Sequence, residues 1–392
     1  MSKSLSSSIA LIALALTCAW SGLAVSQPLP ASASGVQMQS AALSRAPLEG
    51  SAGYPRVIQL MDRLDIPKGR LLASSRDRLY TSDNDGASWR FAMTMPEVPG
   101  LEFRCCETLF QLPRPVGDLW AGTLLYAASY LRGSTPAIGY FISRDAGQTW
   151  EFRGTPVVRG DMNHGLWEPE FEIANDGALV MFWSDQTDPD HHQKIVQMRT
   201  FDGGHWQDEK DTVASSDKDD APGMAVVSGL PNGHFFMTYE MSGPTANGAD
   251  HARVSSDGWN FGDPKDPGFR PTDHAGEYFK HTPYNAWARL PGSPNGAILL
   301  VGRWVFQNDG SQSPLSGKVL FMNTNPDGAG PWTRFTAPVE VSKITTSTIK
   351  KCLNYSSALL PGRDGRTVLE LAGALDGDHC AVFAGKGKLP AE

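Results

Sequence analysis

Short apolar runs bounded by turn residues dominate this chain. Ala178-Leu179-Val180-Met181-Phe182-Trp183 follows the turn Asn175-Asp176-Gly177. Phe235-Phe236-Met237-Thr238-Tyr239 follows Pro231-Asn232-Gly233, and Ala297-Ile298-Leu299-Leu300-Val301 follows Pro294-Asn295-Gly296. Runs of this length between Gly, Pro and Asn read as buried strands. No stretch carries the apolar spacing of an amphipathic helix. The 40 Gly and 28 Pro among 392 residues agree, since both disfavour long helices. The three runs are expected to form the inner strands of successive sheets.

The turns also repeat. Ser143-Arg144-Asp145-Ala146-Gly147-Gln148-Thr149-Trp150 has the form Ser-x-Asp-x-Gly-x-Thr-Trp. In such a turn the Asp accepts from backbone amides, the Gly takes a positive φ, and the Trp anchors the hairpin. Weaker copies span 82–89 (with Asn84 in place of Asp), 200–206 around Asp202 and 255–259 around Asp257. The weakest is Asp327-Gly328 followed by Trp332. The copies recur roughly every 55 to 70 residues, about the length of a four-stranded blade. Five of these Asp boxes and a final stretch at 352–383 predict an all-β fold, a six-bladed β-propeller with degenerate Asp-box repeats. Residues 56–60 and 69–73 are strand-like and are expected to pair with the last blade, closing the ring and removing a sheet edge.

Residues 1–26 read as a secretory signal peptide. Lys3 precedes an apolar run over 9–16, and Ala24-Val25-Ser26, or later Ala31-Ser32-Ala33, offers small residues for cleavage. The run is short for a membrane span and is interrupted by Ser21 and Gly22. The chain is therefore expected to be secreted or periplasmic, without a membrane partner once the signal is removed. A Ser/Ala-rich lead-in over 27–50 precedes one propeller domain at 51–392, expected to be a monomer. Export makes disulfides possible. The four Cys outside the signal allow three pairings, of which Cys352 with Cys380, expected in one late blade, is the natural first choice. The adjacent Cys105 and Cys106 are not expected to bond each other. No CxxC spacing or His cluster points to a metal or cofactor, and His191-His192 reads as a solvated loop pair. The formal net charge of −8 offers no basic stripe for nucleic acid. It is compatible with a neutral sugar polymer.

Two acids stand out. Trp167-Glu168-Pro169-Glu170 precedes one apolar strand, and Glu240 closes another. Glycoside hydrolysis needs two carboxyls across a sugar ring, one of them raised in pKa. Trp167 and Tyr239 would supply apolar walls and a stacking surface. The segments His164-Gly165-Leu166-Trp167-Glu168-Pro169, Phe182-Trp183-Ser184-Asp185-Gln186, Pro222-Gly223-Met224, Leu230-Pro231-Asn232-Gly233 and Met237-Thr238-Tyr239-Glu240 resemble, in that order, glycoside hydrolase family 93. Tyr54-Pro55-Arg56, Thr282-Pro283-Tyr284 and Asn354-Tyr355-Ser356 extend the likeness. That family contains retaining exo-α-1,5-L-arabinanases on a six-bladed propeller, in the clan of the sialidases. The resemblance implies Glu168 as nucleophile and Glu240 as acid/base. It places Arg56, Trp167, Tyr239, Tyr284 and Tyr355 around an arabinan or arabino-oligosaccharide substrate. Two positions depart from the pattern: Ala221, where a charged residue such as Arg is usual, and Thr282, where Ser is.

Two other readings compete. A sialidase would use Tyr355 as nucleophile beside Glu240 and grip a carboxylate with three Arg. Arg56, Arg104 and Arg303 are the candidates, although Phe103-Arg104-Cys105-Cys106-Glu107 does not match the sialidase Phe-Arg-Ile-Pro motif. A non-catalytic carbohydrate- or protein-binding propeller would leave Glu168 and Glu240 as rim acids.

Overall fold

The computed structural model describes residues 47–342, 344 and 352–390. The signal peptide read over 1–26 and most of the lead-in lie outside the described residues. Six antiparallel sheets stand as the blades of a propeller. Their innermost strands are Pro55–Gln59, Leu101–Gln111, Leu166–Ile173, Ala221–Gly229, Tyr284–Leu290 and Ala358–Pro361, each adjoining the next in a closed ring. Blade 4 gains a fifth strand from Trp304–Phe306, and blade 6 has three strands of its own. The helical content of the described residues is one 3-10 turn, Pro326–Gly328. No helix among them is long and apolar enough to cross a membrane.

The long apolar runs lie on the second strands of blades 3, 4 and 5, not on the innermost ones. Leu179, Met181 and Trp183 pack toward blade 2, while Val180 and Phe182 pack toward blade 4. A second strand is covered on both faces by neighbouring blades, so both phases of its alternation are apolar. The innermost strand faces the channel and is free to carry polar and irregular positions.

Ring closure also differs from expectation. Pro55–Gln59 and Leu71–Ser75 pair with each other, and the latter pairs onward with Arg78–Ser82, inside blade 1. A short local hairpin closes with less loop entropy than a pairing across the whole chain. The residues just upstream close the ring instead. Leu48 N–H donates to Val382 O at 2.8 Å, and Val382 N–H donates to Ser51 Oγ at 2.8 Å.

Four Asp boxes form as their chemistry requires. Asp145 Oδ1 accepts from Gln148 N at 3.1 Å and Thr149 N at 2.9 Å, and Gly147 sits at φ 86°. Asn84, Asp202 and Asp257 accept equivalent backbone bonds from Ser88, His205 and Asn260. The fifth copy is different. Asp327 turns to His234 Nδ1 (2.9 Å) and Asn232 Nδ2 (2.9 Å) in blade 4, while Trp332 still fills the core beneath.

Cys352 and Cys380 are joined, as expected. Cys105 and Cys106 are also joined to each other, against expectation. Cys106 takes a left-handed φ of 66° at a break in the strand, a backbone that regular strand geometry does not offer.

Between blades 5 and 6 the buried Glu370 accepts from Val339 N at 2.8 Å. Burial pushes its carboxyl from 4.5 up to about 8. An acid raised in the folded state favours folding fully below its unfolded pKa, and that contribution is lost as pH climbs toward the folded value. Thermal stability should therefore fall between about pH 4.5 and 8. Glu370→Gln should flatten part of that fall, which melting curves across this range will read.

Candidate active site

The channel end of each blade carries a non-glycine residue in the left-handed region: Tyr54 (φ 51°), Cys106 (66°), Glu168 (57°), Met224 (58°), Thr282 (54°) and Ser356 (54°), with His281 (62°) and Asn354 (50°) beside the last two. Each costs about 1–2 kcal/mol, so the surrounding contacts must hold the ring in place. In blades 2, 3 and 4 this residue opens a bulge. Cys106-Glu107 oppose Ala128, Glu168-Pro169 oppose Trp183, and Met224-Ala225 oppose Tyr239. A bulge releases a side chain from strict alternation and re-aims it. That is how Glu168 leaves the inter-blade core for the channel.

Hydrogen bonds tie the ring blade to blade. Glu168 Oε2 accepts from Ser184 Oγ (2.6 Å) in its own blade and from Met224 N (3.0 Å) in blade 4. Glu240 lies directly across from Gly223, next to Met224. Its Oε2 accepts from Thr282 N (2.8 Å) in blade 5 and meets His281 Nδ1 at 3.3 Å. Thr282 Oγ1 accepts from Ser356 N (3.0 Å) in blade 6. Ser356 Oγ accepts from Arg56 Nη1 (3.0 Å) in blade 1. Position 282 thus keeps the hydroxyl that Ser would provide.

The electrostatics follow from enclosure. Glu168 keeps some contact with solvent, yet the atoms crowded around it desolvate its carboxyl. Burial, and next the charge of Glu240, push it up to about 7, against the lowering effect of Ser184. Glu170, which accepts from Thr108 Oγ1, is raised to about 7 and Glu107 to about 8, both by burial. Arg56 lowers both, the strongest opposing influence on Glu170. Asp250, cross-strand partner of Glu240, is pushed well above the usual carboxylate range by burial and by Glu240.

The structure brings Glu168, Glu240, Trp167 and Tyr355 together at the ring. Trp167 and Tyr355 pack with Tyr54, Met224 and the Cys105–Cys106 disulfide. Arg56 and Tyr284 lie close by but deeper. Arg56 is 5% exposed, sits 4.4 Å over the Tyr54 ring and 5.3 Å from that of Tyr284, and donates to Pro55 O and Ser356. Tyr239 is elsewhere. It is fully buried in the core between blades 3 and 4, and its hydroxyl donates to Pro267 O. It adjoins Glu240 on one regular strand, so the two side chains point to opposite faces. Arg104 stacks on Trp167 at 4.4 Å, and Arg303 lies 5.2 Å from the Tyr355 ring. Ser184 and the Met224 amide, which orient Glu168, lie in segments that resemble family 93, but the sequence did not assign them that role. A left-handed non-glycine residue leaves no compositional mark.

Beside this cluster a polar cavity of about 490 Å³ is lined by His164, Gln186, His191 and their neighbours. Gln186 Oε1 accepts the Trp167 indole N–H at 2.8 Å, joining cavity and cluster. Among the described residues no group of three or more His, Cys, Asp or Glu side chains is placed to hold a metal ion.

No family model and no curated protein matches the chain. Solved structures do. An α-L-arabinanase of Penicillium chrysogenum complexed with arabinobiose is similar at 28% identity and TM-score 0.71, over 90% of this chain and 98% of its own. The family 93 α-L-arabinofuranosidase of Fusarium graminearum, also with arabinobiose, is similar at 22% identity and TM-score 0.72, over 90% and 97%. A Hadza microbial sialidase shares the fold at 14% identity and TM-score 0.50, over 86% and 65%. With its six blades, its Asp boxes and these neighbours, the chain is a glycoside hydrolase whose fold fits the sialidase-like propellers, similar along its described length to the family 93 structures.

Proposed function

We propose that the protein is a secreted, retaining exo-glycosidase acting on α-1,5-L-arabinan or its oligosaccharides, with Glu168 and Glu240 as the catalytic pair. The observation that carries this reading is the placement of the two carboxyls. They flank one strand at the channel mouth, each held by donors from the next blade, under walls formed by Trp167, Tyr54 and Tyr355. In a retaining reaction one carboxylate attacks the anomeric carbon while the other acid protonates the departing oxygen. Water, deprotonated by that second group, then releases the sugar from the glycosyl ester.

The raised pKa of Glu168 supports an order opposite to the one the family resemblance suggested. Only the acid/base must hold a proton in the resting enzyme. Glu168 is the carboxyl that burial and the neighbouring charge keep protonated near neutrality. Its Oε2 takes two donors, which leaves Oε1 for the proton. We take Glu168 as acid/base and Glu240 as nucleophile, an order that the pH dependence of turnover tests.

Two features favour this reading over a sialidase. Arg56 is 5% exposed and its Nη1 is bonded to Pro55 O and Ser356, so little of its guanidinium is open to a substrate carboxylate. The Tyr355 hydroxyl is pushed above its ordinary pKa by burial and by Glu168 and Glu240, away from the ionised form a nucleophile needs. The test is incubation with linear arabinan beside a sialoside. Small arabino-oligosaccharides from the first are expected. Free sialic acid from the second would move the nucleophile to Tyr355 and overturn the assignment.

A further inference from the structure

The Cys105–Cys106 disulfide has no role in the chemistry above, yet it occupies the site. Cys106 stands at the bulge position in blade 2 that Glu168 holds in blade 3 and Met224 in blade 4. Cys106 is 8% exposed and Cys105 is partly exposed. The pair packs in one apolar cluster with Tyr54, Trp167, Met224 and Tyr355. These are the side chains around Glu168.

A disulfide between neighbours closes no loop, so it lacks the chain-entropy effect that a bond such as Cys352–Cys380, 28 residues apart, has on the unfolded state. Its consequences are local. It replaces two rotatable thiols, each a weak donor, with one rigid, polarizable surface that donates nothing. A furanose ring presents a C–H face as well as hydroxyls. The carboxyls and Gln186 offer partners for hydroxyls, whereas the sulfurs, with Tyr54 and Tyr355, suit the C–H face.

We propose that the Cys105–Cys106 disulfide is an apolar, specificity-determining floor of the sugar site, on which the C–H face of the bound residue rests. The furanose identity of that residue rests on the arabinan reading; the floor does not. The experiment is calorimetric titration of proteins carrying Glu240→Gln, so that nothing turns over, with arabinobiose, xylobiose and sialyllactose. The parent is compared with a Cys105→Ala/Cys106→Ala pair, and with parent protein reduced by a phosphine and then reoxidised. Mass spectrometry identifies which disulfide has opened.

The bound disaccharide should lose about tenfold or more in affinity in the Ala pair, as expected when apolar contact with a ligand is removed. Reduction should cause a similar loss that reoxidation reverses, with the melting temperature of the Ala pair close to that of the parent. An unchanged Kd after opening this disulfide, by either route, overturns the proposal. The reduced wild-type disulfide decides the matter if the Ala pair does not fold. Binding of xylobiose or sialyllactose in place of arabinobiose would sink the arabinan reading alone, and the floor is then judged on that sugar. Binding of none by the parent overturns both.

Discussion

Glu168→Gln and Glu240→Gln are each expected to lower turnover by about 10²–10⁴-fold or more, the range set by losing a positioned acid/base or nucleophile. Melting temperatures should stay near wild type. Gln keeps the shape and the acceptor oxygen that Met224 N and Ser184 Oγ, or Thr282 N, bond to. The two variants should differ in further respects. If Glu168 is the acid, wild-type kcat/KM falls as pH rises through about 7, since that is where Glu168 loses its proton. Glu168→Gln removes this limb, and for substrates with activated leaving groups azide should restore turnover with retained configuration. In Glu240→Gln the charge that helps raise Glu168 is gone, so the Glu168 titration should move to lower pH. A limb in which activity instead rises through about 7 would restore Glu168 to the nucleophile role. Wild-type turnover by either folded variant would end the two-glutamate reading.

Arg56→Met should produce the largest loss of stability. Arg56 ties blade 1 to blade 6 through Ser356, and its charge sits among the buried Glu107 and Glu170. Removing one member of a buried charged network typically costs about 3–5 kcal/mol, or a melting decrease of roughly 6–15 °C for a domain of this size. The cost should depend on pH with a definite sign. Arg56 lowers the pKa of both acids, so without it their folded values rise further. Near pH 5 both are protonated in the fold either way, and the penalty is smallest. At pH 8 the folded variant must take up protons that the unfolded chain does not hold, and the penalty is greatest. An equal loss at both pH values would mean that only the tie to Ser356 matters. Activity measured well below the melting point should fall less than in the glutamate variants, because Arg56 lies under the site.

How much of this was legible depends on the range of the signal. The Asp boxes are local. Ser143, Asp145, Gly147, Thr149 and Trp150 bond within one turn, so side-chain chemistry alone specifies that turn. Four of five copies behave this way. Asp327 departs because His234 and Asn232, distant in sequence, compete for its carboxylate. Trp167, Glu168 and Glu240 stood out as candidates because acids beside aromatic residues are unusual in strands that are otherwise apolar. Tyr239 was misplaced for a physical reason. Strict alternation points it to the face opposite Glu240, and only the structure shows that this face is the core between blades 3 and 4. The vicinal disulfide was missed because a regular strand does not favour it, whereas the left-handed backbone at Cys106 does.

By itself the sequence determined the all-β class, the number of blades and the Asp-box turns, and it marked the two glutamates and the Cys352–Cys380 pair as candidates. The turns follow from side-chain chemistry acting within a few residues, and the blade count from the spacing at which they recur. Tertiary structure decided the ring. It set which strand of each blade faces the channel, how residues 48–51 rather than 56–60 close the circle, and how six left-handed residues converge from six blades. It also decided that burial and a neighbouring charge raise Glu168. Desolvation and charge coupling depend on what the other blades place around a group, and sequence order does not contain that arrangement.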